Sequence, residues 1–328
     1  MVSSSRIQRG SAVPPAGWRV ALALACSGLA LLGAPVSVVL AQVEAPSGVE
    51  GGTDPTRARE DTLETARGVG MGSGARSTAT GTSALAYNPA NLAIERLYHV
   101  EAGFGYVAGR SAFTVGSAVV DSVSNSLAAG FSFRGFFGNG RDYNGWDGRL
   151  SLGMALAPQI ALGVSGRYVR MTPRDRDDND TPIGEHARGF TLDASATVTP
   201  IEWLHISVMG YNLIDLDSAL TPVQVGGSIG VLVDEFGLGI GTDLLVDLST
   251  FSSAQIIAGF GVEYTAADLV PIRLGYRRDR GRELHTLSLG VGYIADKFGI
   301  DFSLRHDVRA RQSDRLTELL LTFRYDVQ

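Results

Sequence analysis

From Leu97 to Val327, large apolar residues alternate with small or polar ones. The first such stretch has apolar residues at Tyr98, Val100, Ala102, Phe104 and Tyr106. A period of two residues is typical of a β-strand whose two faces meet unlike environments. The pattern recurs to the C-terminus and predicts about fourteen strands of about ten residues each, the length that a tilted membrane strand needs.

The connections between these strands alternate in length. Tight turns are expected at Ala157–Gln159, Thr199–Pro200, Asp234–Glu235 and Asp296. Longer polar loops are expected at Gly138–Gly148, Met171–Arg188, Asp215–Pro222, Arg278–Arg282 and Asp307–Asp314. Short turns at one end and longer loops at the other, with an even strand number, are typical of outer-membrane barrels.

Charges within the predicted strands fall on the small-residue face. They are Glu101, Asp193, Asp243, Glu263, Asp301 and Glu318, with Arg134, Arg149, Arg167, Arg273, Arg305 and Arg324. An arginine facing lipid near the midplane costs about 2–4 kcal/mol, so the apolar face is the lipid face. The pattern predicts an all-β fold, a transmembrane antiparallel barrel over 97–328 with both termini in the periplasm. A soluble sandwich or propeller would favour Lys and Glu, rather than Gly and Ser, on its polar face.

The segment Ala66–Ala93 lacks either hydrophobic period, and its only charges are Arg67 and Arg76. Being poor in large apolar side chains, it cannot build a core of its own. We expect residues 66–96 to lie inside the barrel as a hatch, with Asn88-Pro89-Ala90 turning tightly against the inner wall. The candidate hatch and gating residues are Arg67, Met71, Gly72, Gly74, Arg76, Tyr87, Asn88, Pro89 and Ala90.

The strand charges comprise six acids and six bases. An ion-selective pore would carry an excess of one sign around its wall. The balance predicts that these charges pair across the lumen, or with Arg67 and Arg76, as a closed neutral network. Any transported molecule would then leave sideways through the wall.

The first 41 residues read as a secretory signal, with Arg6, Arg9 and Arg19 before the apolar run Val20–Leu32. Cleavage is expected before Gln42. A membrane anchor over Val20–Leu40 and a lipoprotein site at Cys26 are the alternatives. Residues 42–65 are polar and form a periplasmic lead-in.

Composition and charge exclude some classes of function. The chain has 328 residues, a formal charge of −6 and 41 glycines, where average usage gives about 23. That excess favours close backbone approaches, and the charge balance gives no case for a nucleic-acid partner. Cys26 is the only cysteine, so no intrachain disulfide can form.

Catalytic signatures are absent. The sequence has no GxSxG, Walker or HExxH motif, so we expect neither an enzyme nor a cofactor. His99 and His205 are expected to be structural residues of the lumen. The acidic cluster Asp175–Asp180 offers oxygen ligands but lacks the glycine and terminal glutamate of an EF-hand loop, which favours a solvated loop over a metal site.

The hatch segment resembles that of the FadL-type fatty-acid transporters and the related PorV-type outer-membrane proteins. The matching positions are Ala66, Arg67, Met71, Gly72, Gly74 and Ala75, followed by Tyr87, Asn88, Pro89 and Ala90. Gly261–Tyr264, Arg273–Tyr276 and Leu287–Tyr293 resemble late strands of the PorV-like branch. The resemblance implies a fourteen-stranded barrel plugged by its N-terminus, although the loops here are short for the fatty-acid transporters.

Two functions follow from the resemblance. One is passive passage of hydrophobic small molecules across the outer-membrane lipid. The other is a shuttle or binding component of a secretion or assembly system. A barrel with only a structural role is a third reading. A gap in the wall near the hatch would favour the first function, and neighbouring genes for secretion machinery would favour the second.

Overall fold

The computed structural model describes residues 64–108, 112–138, 143–174, 176, 178–180, 184–309 and 315–327. Fourteen strands form one closed antiparallel barrel, in which β1 completes the circle by pairing with β14. The prediction of an all-β barrel of about fourteen antiparallel strands is confirmed. The signal sequence and the lead-in up to residue 63 lie outside the described residues. Within the described part of the chain, no helix is long and apolar enough to cross a membrane.

The strands run from 8 to 15 residues in length. Their bounds are β1 Tyr98–Ala108, β2 Ala112–Asp121, β3 Leu127–Phe137, β4 Tyr143–Ala157, β5 Ile160–Pro173, β6 Ala187–Ile201, β7 Leu204–Tyr211, β8 Gln224–Val233, β9 Leu238–Asp247, β10 Gln255–Ala266, β11 Val270–Asp279, β12 Leu284–Ile294, β13 Phe298–Arg309 and β14 Thr317–Asp326.

The alternation along each strand separates an apolar outside from a polar inside. Leu150 and Leu274 point outward and are each 56% exposed, whereas Arg167 faces the lumen and is 1% exposed. Because the barrel closes on itself, no strand in it keeps an edge without a neighbour. One closed sheet also rules out the sandwich and propeller alternatives for the described residues.

Connections at the two ends of the barrel differ in length, which defines a turn end and a loop end. The chain enters β1 and leaves β14 at the turn end, because Tyr98 and Asp326 lie there. One predicted turn was wrong: Thr199 and Pro200 lie within β6, and the turn is at Glu202 and Trp203. A register shift between Val198 and Ile201 accommodates the proline, which cannot donate to a regular ladder.

The strands extend further into the predicted loops than expected. β4 begins at Tyr143, inside the predicted Gly138–Gly148 loop, and β5 continues to Pro173. β11 and β13 likewise continue to Asp279 and Arg309. Polar residues occupy these ends of the strands, so apolar alternation alone predicts strands that are too short.

The segment Ala66–Ala93, called the hatch from here on, lies inside the barrel. It contains two short helices, α1 Ala66–Gly70 and α2 Gly81–Tyr87, and 3₁₀ turns at Arg76–Thr78 and Pro89–Ala93. It contacts the inner faces of strands all around the wall, including β4, β5, β8, β12 and β13. Ile94, Glu95 and Arg96 follow as an exposed link to β1.

Glycines allow the hatch backbone to lie directly on the wall backbone. A Cβ at Gly275 would stand 2.0 Å from the nitrogen of Gly72, and one at Gly261 would stand 2.3 Å from the carbonyl oxygen of Met71. Gly241 meets Gly74 in the same way, at 2.1 Å. Gly72 also has a φ of +59°, which favours glycine. The glycine excess therefore reflects contact between two backbones.

Candidate functional site

Both hatch arginines bind carboxylates of the wall. Arg67 reaches Glu263 through two nitrogens, at 2.9 and 3.2 Å, as a bidentate pair. Arg76 donates to Asp243 at 2.9 Å, and its guanidinium lies 5.1 Å from the ring centre of Tyr87. Burial alone would lower the pKa of Arg76, but Tyr211 and Asp243 raise it. Each arginine thus links the hatch to the β9–β10 side of the barrel.

The turn after α2 is held by uncharged hydrogen bonds. Asn88 is fully buried, and its side-chain nitrogen donates to Thr197 and Ser207, each at 3.0 Å. The backbone nitrogen of Ala90 donates to Ser195 at 2.9 Å. Pro89 begins the following 3₁₀ turn, where its fixed φ suits the first position. A proline-containing turn therefore rests against β6 and β7.

The predicted strand charges face the lumen, and the structure places a partner beside each. Arg273 binds Glu263 and Asp301, Arg305 binds Glu318 and Glu64, and Arg149 lies 3.3 Å from Asp193. Arg134 donates to the carbonyl of Glu64, Glu101 accepts from Thr82, and Arg324 lies 3.8 Å from Asp326. Arg167 pairs with Asp147.

Sequence reasoning missed two acids of this network. Glu64 falls in the predicted lead-in, yet it is 5% exposed and binds Arg305. Asp147 falls in a predicted loop, yet it lies on the inner face of β4, two residues before Arg149. Extending the two-residue period through Asp147 would have found it, whereas no local pattern marks Glu64.

A small cavity of about 40 Å³, with both polar and apolar lining, lies between α2 and strands β1–β4. Its lining includes Thr82, Glu101, Arg134 and Arg149. The hatch therefore leaves room for water on this side, in contrast to its direct backbone contact with β9–β12.

An apolar cluster lies at the loop end of the lumen. It includes the buried residues Phe136, Val169, Met171 and Ala187, and Tyr143 packs against it. Val169 is only two positions beyond Arg167 on the same face of β5, so the inner surface changes from ionic to apolar within one step. Ala219 and Leu220, from the loop between β7 and β8, belong to the same cluster. Sequence reasoning missed this site, because it expected small or polar residues at every inward position.

Of the two predicted lumen histidines, His99 bonds to the hatch backbone. Nε2 of His99 accepts a hydrogen bond from the backbone nitrogen of Thr82 at 3.0 Å. Among the described residues, no cluster of three or more His, Cys, Asp or Glu side chains is arranged to hold a metal ion. Asp175 and Asp177 lie outside the described residues, so the solvated acidic loop remains a prediction.

Several solved barrels are similar to this chain. The toluene transporter TbuX of Ralstonia pickettii is 14% identical, with 82% of this chain and 99% of that chain covered and a TM-score of 0.59. The toluene transporter TodX of Pseudomonas putida is 12% identical, with 87% and 99% covered and a TM-score of 0.60. A FadL homologue of Pseudomonas aeruginosa is 12% identical, with 81% and 98% covered and a TM-score of 0.58.

These similarities confirm the resemblance to FadL-type barrels at the level of the fold. No protein-family model and no curated protein sequence matches the chain. The three barrels are transporters or a transporter homologue, so they lend no support to the secretion-component alternative.

Proposed function

We propose that the protein is a passive outer-membrane conduit for hydrophobic small molecules, with both termini on the periplasmic side. The outer face of the barrel supports the membrane location. Large apolar side chains cover it, and aromatic residues stack along it at Phe133, Trp146 and Tyr168. Bilayer hydrocarbon is the solvent that such a surface fits, since strand pairing around a closed barrel satisfies the backbone groups that lipid cannot.

The filled lumen argues against passage of hydrophilic solutes along the axis. The hatch backbone touches the wall backbone at Gly241, Gly261 and Gly275, and buried ion pairs fasten it there. A porin needs an open polar channel, whereas this interior is packed across its width. The role we propose is therefore selective and non-catalytic.

The apolar cluster at the loop end of the lumen is the observation that carries the proposal. The buried side chains of Phe136, Val169 and Met171, inside a lumen rich in ion pairs, have the composition of a site for a hydrophobic solute. The fold is shared with barrels described as toluene transporters. No particular observation in the structure favours a secretion or assembly role.

Uptake measurements with matched variants test the proposal. Met171→Gln places an amide in the apolar cluster, whereas Met154→Gln changes the same residue type on the outer face of β4, where Met154 is 44% exposed. An unpaired buried amide costs about 1–3 kcal/mol. We expect cells that carry the wild type or Met154→Gln to take up radiolabelled toluene, and Met171→Gln to slow uptake by about tenfold. Equal uptake with and without the protein would reject the function.

A further inference from the structure

Two arginines interrupt the apolar outer face of the barrel near its loop end. Arg170 of β5 and Arg188 of β6 are exposed and point outward, since their inward neighbours Val169 and Ala187 are buried. The two arginines are direct partners in the antiparallel register between these strands. The Cβ atoms of such partners lie about 4.5–5.5 Å apart, and like charges placed opposite one another destabilise a sheet. An anion between the two guanidinium groups would remove this repulsion.

The described part of the chain does not supply that anion. Neither arginine forms an ion pair or a side-chain hydrogen bond with a described residue. Asp215 and Asp217 lie in the loop between β7 and β8, whose Leu216 contacts Gly189 next to Arg188, yet neither acid pairs with that arginine. The acids of the described strands near the loop end point into the lumen. The compensating charge must therefore come from outside the barrel.

Aromatic rings lie directly beside and below the arginine pair. Trp146 of β4 is the register partner of Arg170 on its other side. Two residues further from the loop end, Tyr168 and Phe190 face each other across β5 and β6 and are 37% and 50% exposed. The rings of Trp146 and Tyr168 stack with their centres 5.2 Å apart. Aromatic residues of outer-membrane barrels lie where lipid tails meet headgroups, so the arginines are at the level of the headgroups.

The length of β5 gives the same level. Its outward apolar residues run from Ile160 at the turn end to Tyr168. That part of the strand is about 27 Å long at about 3.4 Å per residue, which a tilt of about 40° reduces to a height of about 20 Å. Arg170 lies about 5 Å higher, at the edge of an apolar band that is about 25 Å tall in such barrels. An arginine costs little at this depth, and lipid headgroups are within its reach.

We propose that Arg170 and Arg188 bind a phosphate group of an outer-leaflet glycolipid whose acyl chains lie along Tyr168 and Phe190. A guanidinium group donates to phosphate oxygens through two parallel N–H groups, so two opposed arginines hold one phosphate between them. With both termini in the periplasm, the loop end meets the outer leaflet. The inference goes beyond the proposed function, because it uses the orientation in the membrane but not transport. A barrel that passes no solute would still bind this lipid.

Lipid binding by the purified full chain in detergent, measured by native mass spectrometry with bisphosphorylated lipid A, tests the site. Arg170→Gln/Arg188→Gln removes the arginine pair. The control, Arg278→Gln/Arg309→Gln, removes two exposed arginines from the same end of the barrel, where His285 of β12 separates them in the register. Heat-dependent gel mobility checks that both variants are folded. Dephosphorylated lipid A and inorganic phosphate are the further probes.

We expect Arg170→Gln/Arg188→Gln to bind lipid A about tenfold more weakly than the wild type, and the control to stay within about threefold. Removing the phosphates from the lipid should weaken its binding to the wild type as much as the first variant does. Equal weakening in the two variants overturns the inference, because it shows only a general attraction of anions to the loop end. Displacement of the lipid by an equal concentration of inorganic phosphate overturns the assignment to a lipid. Failure of the wild type to take up toluene rejects the proposed function and leaves this inference in place.

Discussion

Replacing the wall glycines under the hatch should detach it without destroying the barrel. In Gly261→Ala/Gly275→Ala the new methyl groups would stand 2.3 and 2.0 Å from backbone atoms of Met71 and Gly72. Ordinary contact begins near 3.4 Å, so the hatch backbone would have to retreat by about 1.4 Å from Gly275. A backbone atom cannot avoid the clash by changing rotamer.

The free-energy cost of the two substitutions follows from these distances. Overpacking costs about 1–3 kcal/mol per site, so the pair of substitutions imposes about 2–6 kcal/mol. A retreat of this size also stretches the Arg67–Glu263 pair, now 2.9 Å apart. Since leaving a buried charge unpaired costs about 3–5 kcal/mol, the penalty falls on the attachment of the hatch, while the lipid-facing side of the strands is unchanged.

Trypsin cleavage after Arg67 and Arg76, together with conductance in planar bilayers, measures the effect. The double variant should be cleaved faster and conduct more than the wild type. Gly103→Ala is the matched control, because its nearest neighbours, Thr322 and Leu321, stand at 3.3 and 3.9 Å. Wild-type protection and conductance in a folded double variant would refute the argument that backbone contact holds the hatch.

Four further outcomes are expected. The protein should migrate faster on gels before boiling than after it, because a closed barrel resists detergent until heated, and unchanged mobility would count against a membrane barrel. Asn88→Ala/Pro89→Gly should raise bilayer conductance, since Asn88 loses its bonds to Thr197 and Ser207, whereas exposed Asn125→Ala should not. Arg76→Met should destabilise the protein by about 3–5 kcal/mol because Asp243 is left unpaired, and Arg76→Met/Asp243→Asn should regain part of the lost Tm. Burial, with the Glu64 charge adding to it, raises the pKa of the Tyr87 phenol above its ordinary value of about 10. The neutral phenol therefore contributes stability that is fully present below pH 10 and is lost as the pH rises further. Tyr87→Phe should lessen the fall in Tm above pH 10.

The strand pattern was predictable because each strand contains its own signal. Inward and outward positions alternate with a period of two, and lipid tolerates neither charge nor unpaired backbone. The inward placement of Arg149, Asp193 and Glu263 follows from that alternation alone. The same local logic failed at Thr199–Pro200, because a register shift lets a proline lie inside β6.

Composition predicted that residues 66–93 are buried, but not what they contact. A stretch that is too poor in apolar side chains to fold alone is expected to be buried inside another part of the protein, here the barrel. Which glycine lies under which hatch residue depends on distances between segments about 200 residues apart in the sequence, such as Gly72 and Gly275. Local periodicity contains no information about such pairs.

Only the tertiary structure revealed the apolar cluster at the loop end of the lumen. Val169 and Met171 occupy inward positions, yet they are stable there because Leu220 and Phe136 shield them from water. The early end of β7 beside the longer β6 is likewise evident only from the pairing of the two strands. The sequence by itself determined which face of each strand meets lipid, because that choice depends on neighbours two residues apart. The packing of the lumen was decided by the closed barrel, which brings distant strands and loops into contact.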